Sequence, residues 1–246
     1  MNKRHIIFLL IAYISFVISL KSGEIIFDEE IDFDENNSKF NFANEGEDTE
    51  YYLMTINPKE STYIQCSCGG SQIIDEIVQD LVSYGLKLDK EKSCNIVLSV
   101  FGEKELKGKI NVHPLKNEIP VDLTKKTEYT GLAESLDQCP PLVYSVSDLT
   151  EDIKFKFNFP LTQISLDGKT FTLSNPFQVC GEKCEDDVKT YEFSKDKNYK
   201  IKIKFQEIKT DSTTKYYFPS YSFEKASASD IKIKLSLISL LLLLIC

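Results

Sequence analysis

Apolar and polar residues alternate with period two along much of the chain, a pattern that predicts β-strands with one buried face. In Ile153-Lys154-Phe155-Lys156-Phe157-Asn158-Phe159, one isoleucine and three phenylalanines share a face. Residues 199–208 repeat the pattern through Ile201, Ile203 and Phe205. Leu166-Asp167-Gly168-Lys169 lies between two β-prone runs. Its Asp-Gly pair predicts a two-residue hairpin turn, because glycine takes positive φ without steric cost. Further strands are predicted at 24–27, 39–42, 51–56, 62–66, 95–101, 107–112, 142–146 and 216–223. The run DEEIDFDE at 28–35 reads as an edge strand whose charges discourage pairing with another chain.

One segment departs from this rhythm. Ile73, Ile74, Ile77, Val78, Leu81 and Val82 recur at helical spacing, with Asp75, Glu76 and Asp80 between them. Ser71 can cap the start and Gly85 can close the end. The spacing predicts an amphipathic helix over 71–84, laid on a sheet. The expected fold class is therefore mainly β: a disulfide-stapled, β-sandwich-like ectodomain with one helix. Weaker periodicity over 115–138, ending at Cys139-Pro140-Pro141, places a boundary between β-rich regions 23–138 and 139–227.

The two ends read as processing signals rather than as structure. Lys3 and Arg4 precede an uncharged apolar run, 6–20, with small residues around its end at Ser19 and Ser22. That is the order of a secretory signal peptide, expected to span 1–22. At the other end, the last twelve residues read LSLISLLLLLIC. As a helix they rise only about 18 Å, against a hydrocarbon core of roughly 30 Å. Small residues at 226–229 and a short polar stretch at 230–234 precede this tail. The arrangement is that of a glycosylphosphatidylinositol (GPI) attachment signal, with a spacer shorter than usual. Ser227 is the expected attachment residue and 228–246 the discarded propeptide. The chain is then expected on the outer face of the plasma membrane, held in the outer leaflet through GPI.

Removing the tail removes Cys246 and leaves Cys66, Cys68, Cys94, Cys139, Cys180 and Cys184. An even number of cysteines in an exported chain predicts disulfides, and spacing does not choose among the pairings. Cys66 and Cys68 at i and i+2 of a strand share a face, so each is expected to reach a separate partner. Zinc sites of CxxC spacing are absent, and no metal or other cofactor is expected.

The formal charge is −9, and trimming both ends makes it more negative. Such an acidic chain argues against nucleic acid as a partner. With His5 in the leader, His113 stands alone, and its place beside Pro114 reads as surface. No GxSxG or HExxH surrounds a candidate nucleophile or metal. Catalysis is not expected. An ectoenzyme would have to work through carboxylates. Lys154 and Lys156 share one polar strand face, and Lys200, Lys202 and Lys204 another. If those strands are neighbours, they form a basic stripe suited to an acidic glycan or a host-cell protein. The sequon Asn36-Asn37-Ser38 makes Asn36 a glycosylation candidate on an exposed loop.

The leader, the six-cysteine mature region, the Lys/Asn/Ile-rich β composition and the LLLLLIC tail together resemble GPI-anchored surface antigens of protozoan parasites, particularly apicomplexans. That resemblance implies a parasite surface protein built on a β-sandwich like the six-cysteine domains of that phylum. The cysteine order here, CSC first and CxxxC last, differs from theirs, and no pairing or binding residue is carried over. The function expected from all of this is adhesion or partner binding at the cell surface. The alternatives are a structural coat antigen without a dedicated ligand and a carboxylate-based ectoenzyme.

Overall fold

The computed structural model describes residues 23–227, and every regular element within that span is a β-strand. In chain order they are β1 (Ile31–Asp34), β2 (Lys39–Ala43), β3 (Glu50–Pro58), β4 (Thr62–Cys68), β5 (Ser71–Val78), β6 (Val82–Leu88) and β7 (Ser93–Ser99). Next come β8 (Lys107–Pro114), β9 (Glu118–Pro120), β10 (Thr127–Tyr129), β11 (Ala133–Ser135), β12 (Leu142–Val146), β13 (Ile153–Asn158), β14 (Gln163–Leu166) and β15 (Lys169–Thr172). The last are β16 (Phe177–Cys180), β17 (Cys184–Asp186), β18 (Thr190–Phe193), β19 (Tyr199–Ile203), β20 (Gln206–Lys209), β21 (Thr214–Phe218) and β22 (Tyr221–Lys225). They build two compact units that interleave along the chain. The first takes 23–117, 131–140 and 207–217, and the second takes 118–130, 141–206 and 218–227.

In the first unit a seven-stranded sheet, β1-β8-β3-β6-β11-β21-β20, faces a four-stranded sheet, β2-β7-β4-β5. Period-two alternation sends Tyr52, Met54 and Ile56 of β3, Tyr84, Leu86 and Leu88 of β6, and Ile110 and Val112 of β8 into one apolar cluster. From the smaller sheet that cluster receives Phe40 and Phe42 of β2, Ile64 and Cys66 of β4, Ile74 of β5, and Ile96 and Leu98 of β7. Burying each such side chain contributes about 1.5–3 kcal/mol. β1 closes one edge of the large sheet, pairing antiparallel with β8.

The second unit pairs a four-stranded sheet, β10-β22-β13-β18, with a five-stranded sheet, β17-β16-β19-β12-β9. Aromatic side chains join the two. Phe157 packs on Phe177 with ring centroids 5.0 Å apart, Tyr144 on Phe223 at 5.2 Å, and Phe193 on Tyr199 at 4.9 Å. Such pairs add about 0.5–1.5 kcal/mol each beyond the area they bury. The Tyr144 and Tyr221 hydroxyls, both buried, bond to each other at 2.6 Å. The Asp-Gly turn joins β14 to β15, with φ of 51° at Asp167 and 72° at Gly168.

The segment expected to be a helix, 71–84, is instead β5, a turn and the start of β6. Gly69 and Gly70 both take positive φ, 60° and 87°, and fold Ser71 back opposite Cys68. Once that hairpin forms, the β-branched Ile73, Ile74, Ile77 and Val78 favour continuing as a strand. A bulge opposite the Cys66–Ser67 step absorbs Ile73, so Ile74 and Val78 face the core while Ile77 is 55% exposed. Helical and strand-turn-strand spacings coincide over so short an apolar run. Three expected strands also change. Residues 24–27 supply only a bridge from Glu24 to Asn41. The predicted strand over 199–208 breaks into β19 and β20, and that over 216–223 breaks at Pro219-Ser220 into β21 and β22. Close to each break, after Gln206 and after Tyr217, the chain passes from one unit to the other.

Candidate functional site

A cleft of about 310 Å³ opens in the first unit between the free edge of β5 and the β6–β11 part of the large sheet. Ile73, Ile74, Asp75 and Glu76 form one wall; Tyr84 to Lys87, Glu134 to Asp137 and Lys215 form the other. β11 reaches this place by pairing parallel to β6, with Ser135 opposite Gly85. A Cβ on Gly85 would lie 2.8 Å from Ser135 Cβ and 2.9 Å from Cys139 Sγ, so only glycine lets β11 close so tightly.

The cleft is lined with compensated polar groups. The Tyr84 hydroxyl donates to Glu76, and the Tyr63 hydroxyl donates to Asp75 on the outer face of the small sheet. Lys215 pairs with Glu134, and Lys87 Nζ lies 2.9 Å from Asp137. Burial and the Glu76 carboxylate hold the Tyr84 phenol well above its ordinary range. Lys87 beside Asp137 holds that carboxyl below the usual carboxylate range. Asp75 and Glu76, by contrast, touch no cation among the described residues. Leu136, at the rim, is 59% exposed. The arrangement offers an acidic wall, an apolar rim and main chain along a strand edge.

The cysteines divide into two cystines and two buried thiols. Cys68–Cys94 staples β4 to β7, and Cys180–Cys184 closes the β16–β17 hairpin. Cys66 and Cys139 remain unpaired, a correction to the expectation that all six would pair. Tyr84, next along β6 from Gly85, points into the core that holds Cys66, whereas Cys139 packs on the opposite face against Gly85. The sheet stands between the two thiols. Burial pushes Cys66 up to about 12 and Cys139 up to about 11. Cys66 and Cys68 do share a face and do not join each other; their sulfurs are 3.9 Å apart. The sulfurs of Cys66, Cys68 and Cys94 lie within 4.8 Å of one another. With two of them in a cystine, one thiol remains to ligate.

The five lysines do not form a stripe. β13 and β19 belong to different sheets of the second unit. Their buried faces, Ile153, Phe155 and Phe157 against Ile201 and Ile203, turn inward. Lys154 and Lys156 therefore point away from Lys200 and Lys202, on opposite outer faces. Acidic residues neighbour them: Glu192 and Glu224 stand opposite Lys154 and Lys156, Lys200 pairs with Glu118, and Lys204 pairs with Asp186. His113 is buried rather than exposed, because β8 continues through Pro114, and its Nδ1 meets Asp28. Asn36 is exposed in the β1–β2 turn, where its N–H and that of Asn37 donate to Asp34 Oδ1 at 2.8 and 2.9 Å. Ser227 is the last described residue and is exposed; the leader, 1–22, and the tail, 228–246, lie outside the described residues.

The cleft residues carry no motif in the sequence. Asp75 and Glu76 read there as the polar face of a helix, and 131–137 as weakly patterned chain. The Gly69-Gly70 pair was the one local signal that pointed to a hairpin.

No family model matches the chain, and no curated protein matches it. Among solved structures, dimeric latent PorU from Porphyromonas gingivalis is 9% identical over 85% of this chain and 19% of its own, with a TM-score of 0.21. The chain thus spans about a fifth of that protein. A conserved Pseudomonas aeruginosa protein of unknown function is 3% identical over 81% of this chain and 96% of its own, also at 0.21. The CUB1-EGF-CUB2 region of human MASP-1/3 is 8% identical over 84% and 96%, again at 0.21. These likenesses are too slight to define a shared fold.

Proposed function

We propose that this chain is an exported protein, GPI-anchored on the outer face of the plasma membrane, that binds a partner at the cell surface through the cleft of its first unit. The cleft is the observation that carries the binding reading. It combines a concave volume, an exposed Leu136 and convergent carboxylates, the mixture of apolar contact and placed polar groups that recognition sites use. Two cystines suit an oxidising compartment. The leader, the terminal apolar tail and the exposed Asn36 support the same route. On this reading the protein is an adhesion or partner-binding surface antigen rather than an enzyme, and the lysine-bearing outer faces are solvated surface.

Two measurements test it. Phosphatidylinositol-specific phospholipase C applied to intact cells should release the protein into the supernatant; retention with residues 228–246 still attached would refute the anchor. Cells displaying the chain should adhere to neighbouring or host cells. Leu136→Asp should reduce that adhesion several-fold, while Lys154→Glu and Lys202→Glu should leave it unchanged. Adhesion lost with the lysines and kept with Leu136→Asp would move the site away from the cleft.

A further inference from the structure

Resting on the cleft as the partner-binding surface, we infer that the outer edge of β5 receives an extended, basic segment of a partner protein, which enters the cleft as an added strand. β5 is an end strand of its sheet, eight residues long, and only β4 pairs with it among the described residues. Its outer main-chain groups are therefore a template for another strand. Side chains on a strand point alternately to opposite faces. Four successive residues, Ile73 to Glu76, nevertheless border one cavity, so the cavity runs along the backbone edge of β5. The opposite wall has a similar character. The β11 pairing covers only Ser83 to Gly85 of β6, and Leu86 and Lys87 border the cleft beyond it.

Of the usual guards of an open edge, only charge is present on β5. Lysine, proline and a mid-strand bulge discourage edge pairing. β5 contains neither lysine nor proline, and its bulge lies near the hairpin turn, leaving Ile74 to Val78 in regular register. What the edge does carry is negative charge. Among the described residues Asp75 and Glu76 accept only tyrosine hydroxyls, from Tyr63 and Tyr84, while the lysines that line the cleft, Lys87 and Lys215, are already held by Asp137 and Glu134. A second copy of this edge would bring carboxylates against carboxylates, on a chain of net charge −9. A segment with Lys or Arg at alternate positions meets the opposite condition. Its main chain pairs with β5, one side-chain set reaches Glu76 within the cleft, and the other lies beside Asp75 and Ile77.

The test uses the full chain and an acetylated, amidated eight-residue peptide of alternating Lys and Val. Fluorescence anisotropy should show saturable binding, and hydrogen exchange should slow at the amides of Ser71–Val78. Methylating alternate backbone nitrogens of the peptide should weaken binding at least about tenfold, because it blocks the new ladder. Asp75→Asn with Glu76→Gln keeps both tyrosine acceptors and should weaken binding by up to about fivefold per charge, as exposed ion pairs do. The inference is overturned if the peptide does not bind, if the methylated peptide binds equally, or if protection appears elsewhere. Concentration-dependent self-association that protects β5 would also overturn it, since the edge would then serve a second copy. If Leu136→Asp abolishes cell adhesion while no peptide binds, the cleft remains the binding surface and strand addition alone is wrong. If the peptide pairs with β5 while adhesion ignores Leu136, the functional reading fails instead.

Discussion

The two cystines span very different loops, and their contributions to stability should differ accordingly. Cross-linking removes loop-closure entropy from the unfolded chain in proportion to the logarithm of the loop length. For Cys68–Cys94, with a separation of 26 residues, the relation gives about 3.5 kcal/mol. For Cys180–Cys184, with a separation of 4, it gives about 1.9 kcal/mol. The perturbation is the double substitution Cys68→Ala/Cys94→Ala, compared with Cys180→Ala/Cys184→Ala. Both members must go in the first case, because the Cys66 sulfur lies 3.9 Å from that of Cys68 and could replace Cys94 as its partner. Cys94 is fully buried in the first unit's core, so lost packing adds to the entropy there. With a urea dependence of about 2 kcal/mol/M, the midpoints should fall by about 1.7 M and 0.9 M. The chain lacks tryptophan, so hydrogen exchange read by mass spectrometry is the suitable assay. β3 and β8 peptides report on the first unit, and β12 and β19 peptides on the second. Equal losses, or a larger loss from the four-residue loop, would refute the loop-entropy reasoning.

Two further outcomes follow from buried polar groups. Burial raises Cys66 to about 12 and Cys139 to about 11, from an ordinary value of 9.0. A raised acid binds its proton more tightly when folded, so this stability is fully present below about pH 9 and is lost as pH rises toward 11 and 12. The urea midpoint should therefore fall between pH 9 and 10.5, less so in Cys66→Ala/Cys139→Ala; identical pH profiles for the two proteins would contradict the assignment. In the second unit, Tyr144→Phe deprives the buried Tyr221 hydroxyl of its bond and should cost about 1–3 kcal/mol. Tyr144→Phe/Tyr221→Phe should cost less than the sum of the singles, and strict additivity in that double-mutant cycle would refute the pairing.

Where one strand face meets the core and the other meets water, local pattern was enough to find the strand. The Ile153–Phe157 alternation, the Asp167-Gly168 turn and the acidic edge strand at Ile31–Asp34 were all legible, because period two and positive φ are properties of a few adjacent residues. Segment 71–84 was misread for a corresponding reason. Its apolar spacing suits a helix equally well, and the decision lay in Gly69-Gly70 and in pairing with β4. The breaks after Ile203 and at Pro219-Ser220 were hidden because the chain changes units close by without losing its apolar pattern.

The mainly-β class, the Asp167-Gly168 hairpin turn and the cysteine inventory followed from composition and short-range periodicity. Three features belonged to the tertiary structure alone. That Cys66 and Cys139 stay apart depended on their lying on opposite sides of β6. The five lysines pointed apart because β13 and β19 face each other across an aromatic core. The cleft depended on how far β11 runs beside β6 and on β5 being an end strand. Each of these is set by strand neighbours distant in sequence, and periodicity along one strand carries no record of which strand lies beside it.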